Sequence, residues 1–184
     1  KKEFNVNSRT IYNPLNKKEI IKKSKLRSKK IFNSNKKLKI LNIGRFTDQK
    51  DQMTFLKSLN LIKNKIDFEA SIVGRGNLKN KLQNYINNKN LQKVVKLYDF
   101  VDNPYPLIKQ SNLFVLTSKF EGLPNVLLES VALKKFTISS NCHTGPKEIL
   151  LNGRGGLLFK VGDYKELASK ILYYFFNKKK CQKL

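Results

Sequence analysis

The sequence is poor in the residues that build most metal and nucleophile sites. Its 184 residues include one histidine, His143, and two cysteines, Cys142 and Cys181. The cysteines form no C-x-x-C pair, and one histidine leaves a zinc site or a Ser-His-Asp triad short of ligands and partners. Such sparse cysteine fits a reducing, cytoplasmic setting. No apolar run approaches the roughly 20 residues needed to span a bilayer, and the opening KKEFNVNSRT has no signal-type apolar core, so any membrane contact is expected to be peripheral. Acidic residues are scarce too: 13 stand against 38 Lys and Arg, a net charge of +25. That balance favours anionic partners, which are nucleotide phosphates, nucleic acid or an acidic lipid surface, although most scattered lysines on any protein are simply solvated.

What is present is an alternation. The length fits one domain, burying roughly 70% of its unfolded surface. Residues 1–36 read as a basic lead-in, 37–177 as the domain and 178–184 as a basic tail. Within the lead-in, Ile11 to Pro14 reads as extended, and residues 16–30 as a surface helix with Ile20, Ile21 and Leu26 as its stripe. From Leu38 the pattern predicts strands at Leu38–Ile43, Phe68–Val73, Val94–Tyr98, Leu113–Leu116 and Phe136–Ser139, with a strand-like piece at Gly156–Val161. Helices are predicted between them at Asp51–Lys65, Asn77–Asn87, Pro104–Lys109 and 124–133, with a closing helix at Tyr164–Phe176. Units of this size imply an α/β, Rossmann-like, mainly parallel sheet with helices on both faces.

In such a sheet ligands collect at the carboxyl ends of the strands, so the loops there hold the candidates. The first strand runs into Gly44-Arg45-Phe46-Thr47-Asp48-Gln49-Lys50, and the second into Gly74-Arg75-Gly76. Gly44 and Gly74 would let a ligand approach the backbone, and Arg45 and Lys50 bring two cations to one edge. The stretch Ser118 to Ser130, SKFEGLPNVLLES, organises the rest. Its sharp turn at Gly122 and Pro124 leads into a short apolar helix. With Pro124 at the first helical position, the amides of Asn125, Val126 and Leu127 are expected to be unpaired and to seat an anion. Glu121 and Glu129 bracket that seat. Glu129 lies between apolar neighbours, so a polar group should meet it, either a nearby lysine or water or a ligand. Together these groups should face one cleft shaped for a diphosphate between hydroxyl-rich groups.

Five motifs in order carry a resemblance: Ile-Tyr-Asn-Pro at 11–14, Gly-Arg-Phe-x-x-Gln-Lys-Asp at 44–51, Val-Gly-x-Gly at 73–76, Glu-x7-Glu at 121–129 and Gly-Pro-Lys-Glu-Ile-Leu at 145–150. From about Ile11 to Phe176 the chain resembles the C-terminal, donor-binding domain of a family 4 retaining glycosyltransferase, one half of the two-domain GT-B fold. The resemblance implies hexosyl transfer from a nucleotide-diphospho-sugar, in the building of lipopolysaccharide, capsule or lipid-linked saccharides. It puts Arg45 and Lys50 on the diphosphate, stabilising the leaving group, with Glu121 on the donor-sugar hydroxyls as the third catalytic residue. Glu129 falls on the ribose hydroxyls, the amides from Leu123 through Pro124 and Asn125 to Val126 on the distal phosphate and sugar, and Phe100 on the base. No Asp-x-Asp triplet occurs, so no metal or other cofactor is expected and cations offset the phosphates instead.

Two departures stand out: Asp99 and the pair Lys135-Phe136 replace glycine and Gly-Pro of the family pattern. The resemblance also covers a donor site without the N-terminal acceptor domain. This chain alone is therefore expected to be inactive, with that domain missing or supplied by a separate chain, as in a split or decayed gene. The alternatives are a nucleic-acid-binding basic domain, against which Phe100, Phe114 and Phe136 sit on or beside predicted strands without the basic and aromatic interleaving of a single-strand platform, or a non-catalytic subunit that docks a separate acceptor-domain chain. Contact with anionic lipid at the inner face of a membrane is a further expectation, resting on the net charge.

Overall fold

A computed structural model describes residues 14–181. The expected extended segment at 11–13 lies outside these residues. Six parallel strands form one sheet: β1 (Leu38–Ile43), β2 (Phe68–Val73), β3 (Val95–Tyr98), β4 (Leu113–Leu116), β5 (Phe136–Ser140) and β6 (Leu157–Phe159). Their spatial order is β3-β2-β1-β4-β5-β6, so the chain reverses its direction of winding between β1 and β4. The register of β1 on β2 runs without a break from Leu38 opposite Phe68 to Ile43 opposite Val73. Strands of this composition, buried on both sides, belong in a sheet covered twice.

The period of two along the strands sorts their side chains into two cores. Leu38 and Ile40 of β1 and Leu113 and Val115 of β4 enter a core with helices α2 (Gln52–Ile62), α3 (Lys79–Asn88) and α7 (Tyr164–Phe176). Leu41, Phe114 and Leu116 point the other way, against α4 (Tyr105–Gln110) and α5 (Asn125–Ala132). Asn42 is the buried polar side chain of β1. Its Nδ2 donates to the Val115 carbonyl at 2.9 Å, which ties β1 to β4 at the reversal point.

Local signals set the helix ends. Asp51 is the cap of α2 and not its first residue: its carboxylate accepts from Thr54 N at 3.2 Å and from Thr54 Oγ1 at 2.7 Å. It thereby satisfies an amide that the helix cannot. Asp163 caps α7 in the same way, through Lys165 N and Glu166 N. Leu56, Leu59 and Ile62 recur at helical spacing and are fully buried, and truncating any of them would cost about 2–5 kcal/mol.

The lead-in is more structural than its charge suggests. α1 (Lys17–Lys23) buries Ile20 against α4 and α5, while Ile21 and Leu26 stay exposed, so the expected stripe reduces to one residue. Ile31 and Phe32 are buried in the second core, and Ser71 Oγ and Tyr98 OH both donate to the Ile31 carbonyl. At the other end, α8 (Lys178–Cys181) buries Cys181. The loop after β5 contains two short turns that periodicity does not reveal, α6 (Pro146–Ile149) and a 3-10 turn at Leu151–Gly153. Among the described residues no helix is long and apolar enough to cross a membrane.

Candidate functional site

The loops leaving β1 and β2 are locked to each other. Sheet pairing continues past the strands, with Gly44 N donating to Val73 O and Gly74 N to Tyr98 O, each at 3.0 Å. Phe46, fully buried, fixes the next step: its N–H donates to Arg75 O at 2.8 Å and its carbonyl accepts from Leu78 N at 3.1 Å. A Cβ on Gly74 would sit 2.0 Å from the Gly44 carbonyl oxygen. The glycine at 74 is thus required by the neighbouring backbone as well, whatever ligand approaches it. These loops carry Arg45 and Arg75 exposed at the rim.

Both arginines line a cleft of about 580 Å³ at the carboxyl ends of β1, β2 and β3. Gly44, Gly74 and Phe100 line it as well, and α5 contributes Asn125 and Glu129 from the opposite wall. Arg45 and Glu129, expected on one cleft, share it. Phe100 is 51% exposed, and the Arg75 guanidinium lies over its ring at 4.7 Å from the centroid. An exposed aromatic face beside two guanidinium groups suits a flat, anionic ligand.

Glu129 meets neither a lysine nor an arginine among the described residues. Its hydrogen-bond partner among the described residues is phenolic: Tyr105 OH donates to Oε1 over a long 3.4 Å. Burial pushes the carboxyl above its ordinary value of 4.5, and the Tyr105 hydrogen bond pulls it partly back. A carboxyl raised in the fold contributes stability that is full below the unfolded value and is lost as pH rises through the folded one. At neutral pH this carboxylate therefore opposes folding. Glu129→Gln is expected to melt above the wild type at pH 7, with the gap closing by pH 4. A thermal melt at both pH values checks this, and a lower melting point at pH 7 would show that the charge serves the fold.

Lys50 and Glu121 do not line that cleft. They pair with each other at 2.5 Å, with side chains only 16% and 7% exposed, and Ser118 Oγ donates to the same carboxylate oxygen at 2.5 Å. The lysine stem runs beside Gly44, so the pair stands immediately behind the β1 loop. Thr144 Oγ1 donates to the Glu121 carbonyl, and a Cβ on Gly145 would come 2.4 Å from the Gly122 carbonyl. The Thr144-Gly145-Pro146 motif thus buttresses the turn that carries Glu121.

That turn differs from expectation in one respect. Pro124 is the cap of α5 and not its first residue, with φ −72° and ψ 98°, and its carbonyl accepts from Leu127 N at 2.9 Å. The fixed proline φ suits either position, and the extended ψ decides between them. Leu127 N is therefore unavailable to an anion. Among the described residues Val126 N has no acceptor. Gly122, Leu123, Pro124 and Val126 lie outside the lining of the cleft, where Asn125 alone represents the turn.

Asp99 is also outside it. Its carboxylate pairs with Lys79 at 2.5 Å on the surface, which holds it below its ordinary range, so it neither faces nor narrows the cleft. Phe114 is fully buried and Phe136 stacks on Tyr174 with centroids 4.7 Å apart, so neither offers an exposed stacking face of the kind Phe100 offers. Of the lining residues that sequence reasoning missed, two bear on the chemistry. Arg75 lay inside a motif read for its glycines, and Tyr105 opens a predicted helix with no local sign of what it faces.

Comparison with known proteins follows the same lines. The family model described as glycosyl transferases group 1 matches residues 23–184. An uncharacterized glycosyltransferase of Methanocaldococcus jannaschii is 45% identical over 111 residues, covering 60% of this chain and 27% of that protein. A Campylobacter jejuni α-1,4-N-acetyl-D-galactosaminyltransferase acting on an undecaprenol-diphosphate glycan is 33% identical over 134 residues, 72% of this chain and 37% of that one. The chain thus spans about a third of the length of these relatives. Among solved structures, the lipopolysaccharide outer core galactosyltransferase WaaB superposes with a TM-score of 0.67 at 26% identity, over 74% of this chain and 40% of that one. Anabaena HepE in complex with UDP gives 0.73 at 21% identity over 79% and 41%, a likeness of fold.

Proposed function

The chain belongs to the glycosyl transferases group 1 family, and we propose that it is the donor-binding half of such an enzyme, holding a nucleotide-diphospho-sugar in the 580 Å³ cleft for retaining transfer. The observation that carries this reading is the meeting of Arg45 and Arg75 from one wall with Glu129 from the other, around the exposed face of Phe100. The diphosphate lies against the guanidinium groups, the base on Phe100 and the ribose hydroxyls on Glu129. Cationic side chains, with no bound metal, offset the charge that develops on the leaving diphosphate. Lys50 and Glu121 act from behind the β1 loop, the lysine reaching the diphosphate and the carboxylate the donor-sugar hydroxyls once their mutual pairing loosens. The Campylobacter relative, named for an undecaprenol-diphosphate acceptor, supports a lipid-linked or cell-surface saccharide as product. The acceptor site belongs to a part not contained in these residues, so this chain binds donor without turning it over.

Calorimetric titration of the purified chain with UDP, GDP and ADP tests this, with turnover of the corresponding sugars followed in the same samples. At least one nucleotide is expected to bind, and Arg45→Ala to weaken it about ten- to hundredfold, the worth of a charge-assisted contact. Absence of binding by all three, or an unchanged affinity in Arg45→Ala, would remove the proposal.

A further inference from the structure

Glu129 is a partition as well as a wall. A second hollow of about 190 Å³ lies on its other side, lined by Asn16, Glu19 and Ile20 from α1 and by Leu128, and Tyr105, Asn125 and Glu129 border both spaces. A carboxylate in that position has two directions in which to point. No lysine or arginine among the described residues forms an ion pair with it. What does reach it is Tyr105, and Tyr105 is itself held firmly. Its N–H donates to Asn103 Oδ1 at 3.3 Å, Asn103 Nδ2 donates to the Lys23 carbonyl at 3.1 Å, and its ring packs against the second core. α1 is thus tied through Asn103 to the backbone of Tyr105 at the start of α4, and the Tyr105 hydroxyl reaches across to Glu129 on α5.

We propose that Tyr105 is the positioning residue for Glu129: its hydroxyl donates to Oε1 and pins the carboxylate on the cleft wall, leaving Oε2 to accept from a vicinal pair of ligand hydroxyls. The ligand part of this statement rests on the reading of the cleft as a nucleotide site. The pinning stands on the geometry of the unliganded chain.

The hydroxyl also has an electrostatic consequence. Glu129 faces Tyr105 from α4, Glu19 with Lys23 from α1, Arg45 and Arg75 from the β1 and β2 loops, and Asp102 from the loop after β3. Asn125 is the polar neighbour on its own helix. Burial raises the carboxyl, and the Tyr105 hydrogen bond is the opposing influence. Tyr105→Phe keeps the ring and its packing and removes only that influence. Its effect is thus confined to the carboxylate.

The test is a carbon-13 NMR titration of the side-chain carboxyl groups of the unliganded chain, with the Glu129 signal assigned by its loss in Glu129→Gln. In Tyr105→Phe the Glu129 carboxyl is expected to titrate at higher pH than in the wild type. UDP affinity is expected to fall about three- to tenfold, the worth of one hydrogen bond. An unchanged titration of Glu129 in Tyr105→Phe overturns the proposal whether or not UDP binds. A shifted titration in a chain that binds no UDP, GDP or ADP leaves the pinning in place and overturns the nucleotide reading.

Discussion

Gly74→Ala is expected to lower the melting temperature by about 6–12 °C. The new Cβ would stand 2.0 Å from the Gly44 carbonyl oxygen, 3.0 Å from its carbon and 3.0 Å from Phe46 Cε1. Two of these atoms are backbone of a residue whose N–H is held by the Val73 carbonyl, and Phe46 is fully buried, so none can swing aside. Overpacking of this kind costs about 3 kcal/mol, and a domain of this size loses about 2–4 °C per kcal/mol. The strain falls on the two loops that carry Arg45 and Arg75, so nucleotide affinity is expected to drop with the melting point. Gly122→Ala is the control: nothing lies within 4 Å of its Cβ, and it is expected to melt within about 2 °C of the wild type. Circular dichroism melts of the two variants decide the matter. Equal melting points would mean that the β1 and β2 loops separate freely and that the cleft has no rigid floor.

The Lys50–Glu121 pair gives the second large effect. Removing Lys50 by Lys50→Ala leaves a carboxylate that is 7% exposed with Ser118 as its remaining side-chain donor. Stranding one member of a buried pair costs about 3–5 kcal/mol, more than the intact pair contributes, because the survivor keeps its desolvation penalty and loses its partner. Lys50→Ala combined with Glu121→Gln is therefore expected to recover more than about 1 kcal/mol relative to Lys50→Ala alone. Arg45→Ala, at an exposed position, is expected to cost less than about 0.5 kcal/mol in the same urea denaturation series. The contrast separates a residue whose loss touches binding alone from one whose loss touches the fold as well. If the double variant is as unstable as the sum of the single ones, the pair is not coupled, and Lys50 is free to serve the ligand directly.

The elements of this fold were legible because their signals are short-range. Leu38–Ile43 and Phe68–Val73 are apolar runs of strand length, and Met53, Leu56, Leu59 and Ile62 recur at the helical period, so type and order follow from local pattern. The closing helix at Tyr164–Phe176 begins after a capping aspartate, and its start at Tyr164 and approximate end were legible. Errors gathered where two conformations satisfy the same local rule. Pro124 fits either a cap or a first helical turn, and only the ψ imposed by the loop from β4 chooses. Ile31 and Phe32 sit in a lysine-rich segment whose composition says surface, yet the β2–β3 side of the sheet needs covering and they cover it.

By itself the chain determined a doubly covered parallel sheet and its membership of the glycosyl transferases group 1, since periodicity and motif order are written along one dimension. Which charged groups face which could be decided only by tertiary structure. Lys50 and Glu121 are 71 residues apart, and Tyr105 and Glu129 are 24 apart. Such pairings depend on the order of strands in the sheet and on the angle at which each loop leaves it. For that reason Glu129 proved to have a tyrosine as neighbour, Gly74 a carbonyl, and Arg75 a place in the cleft.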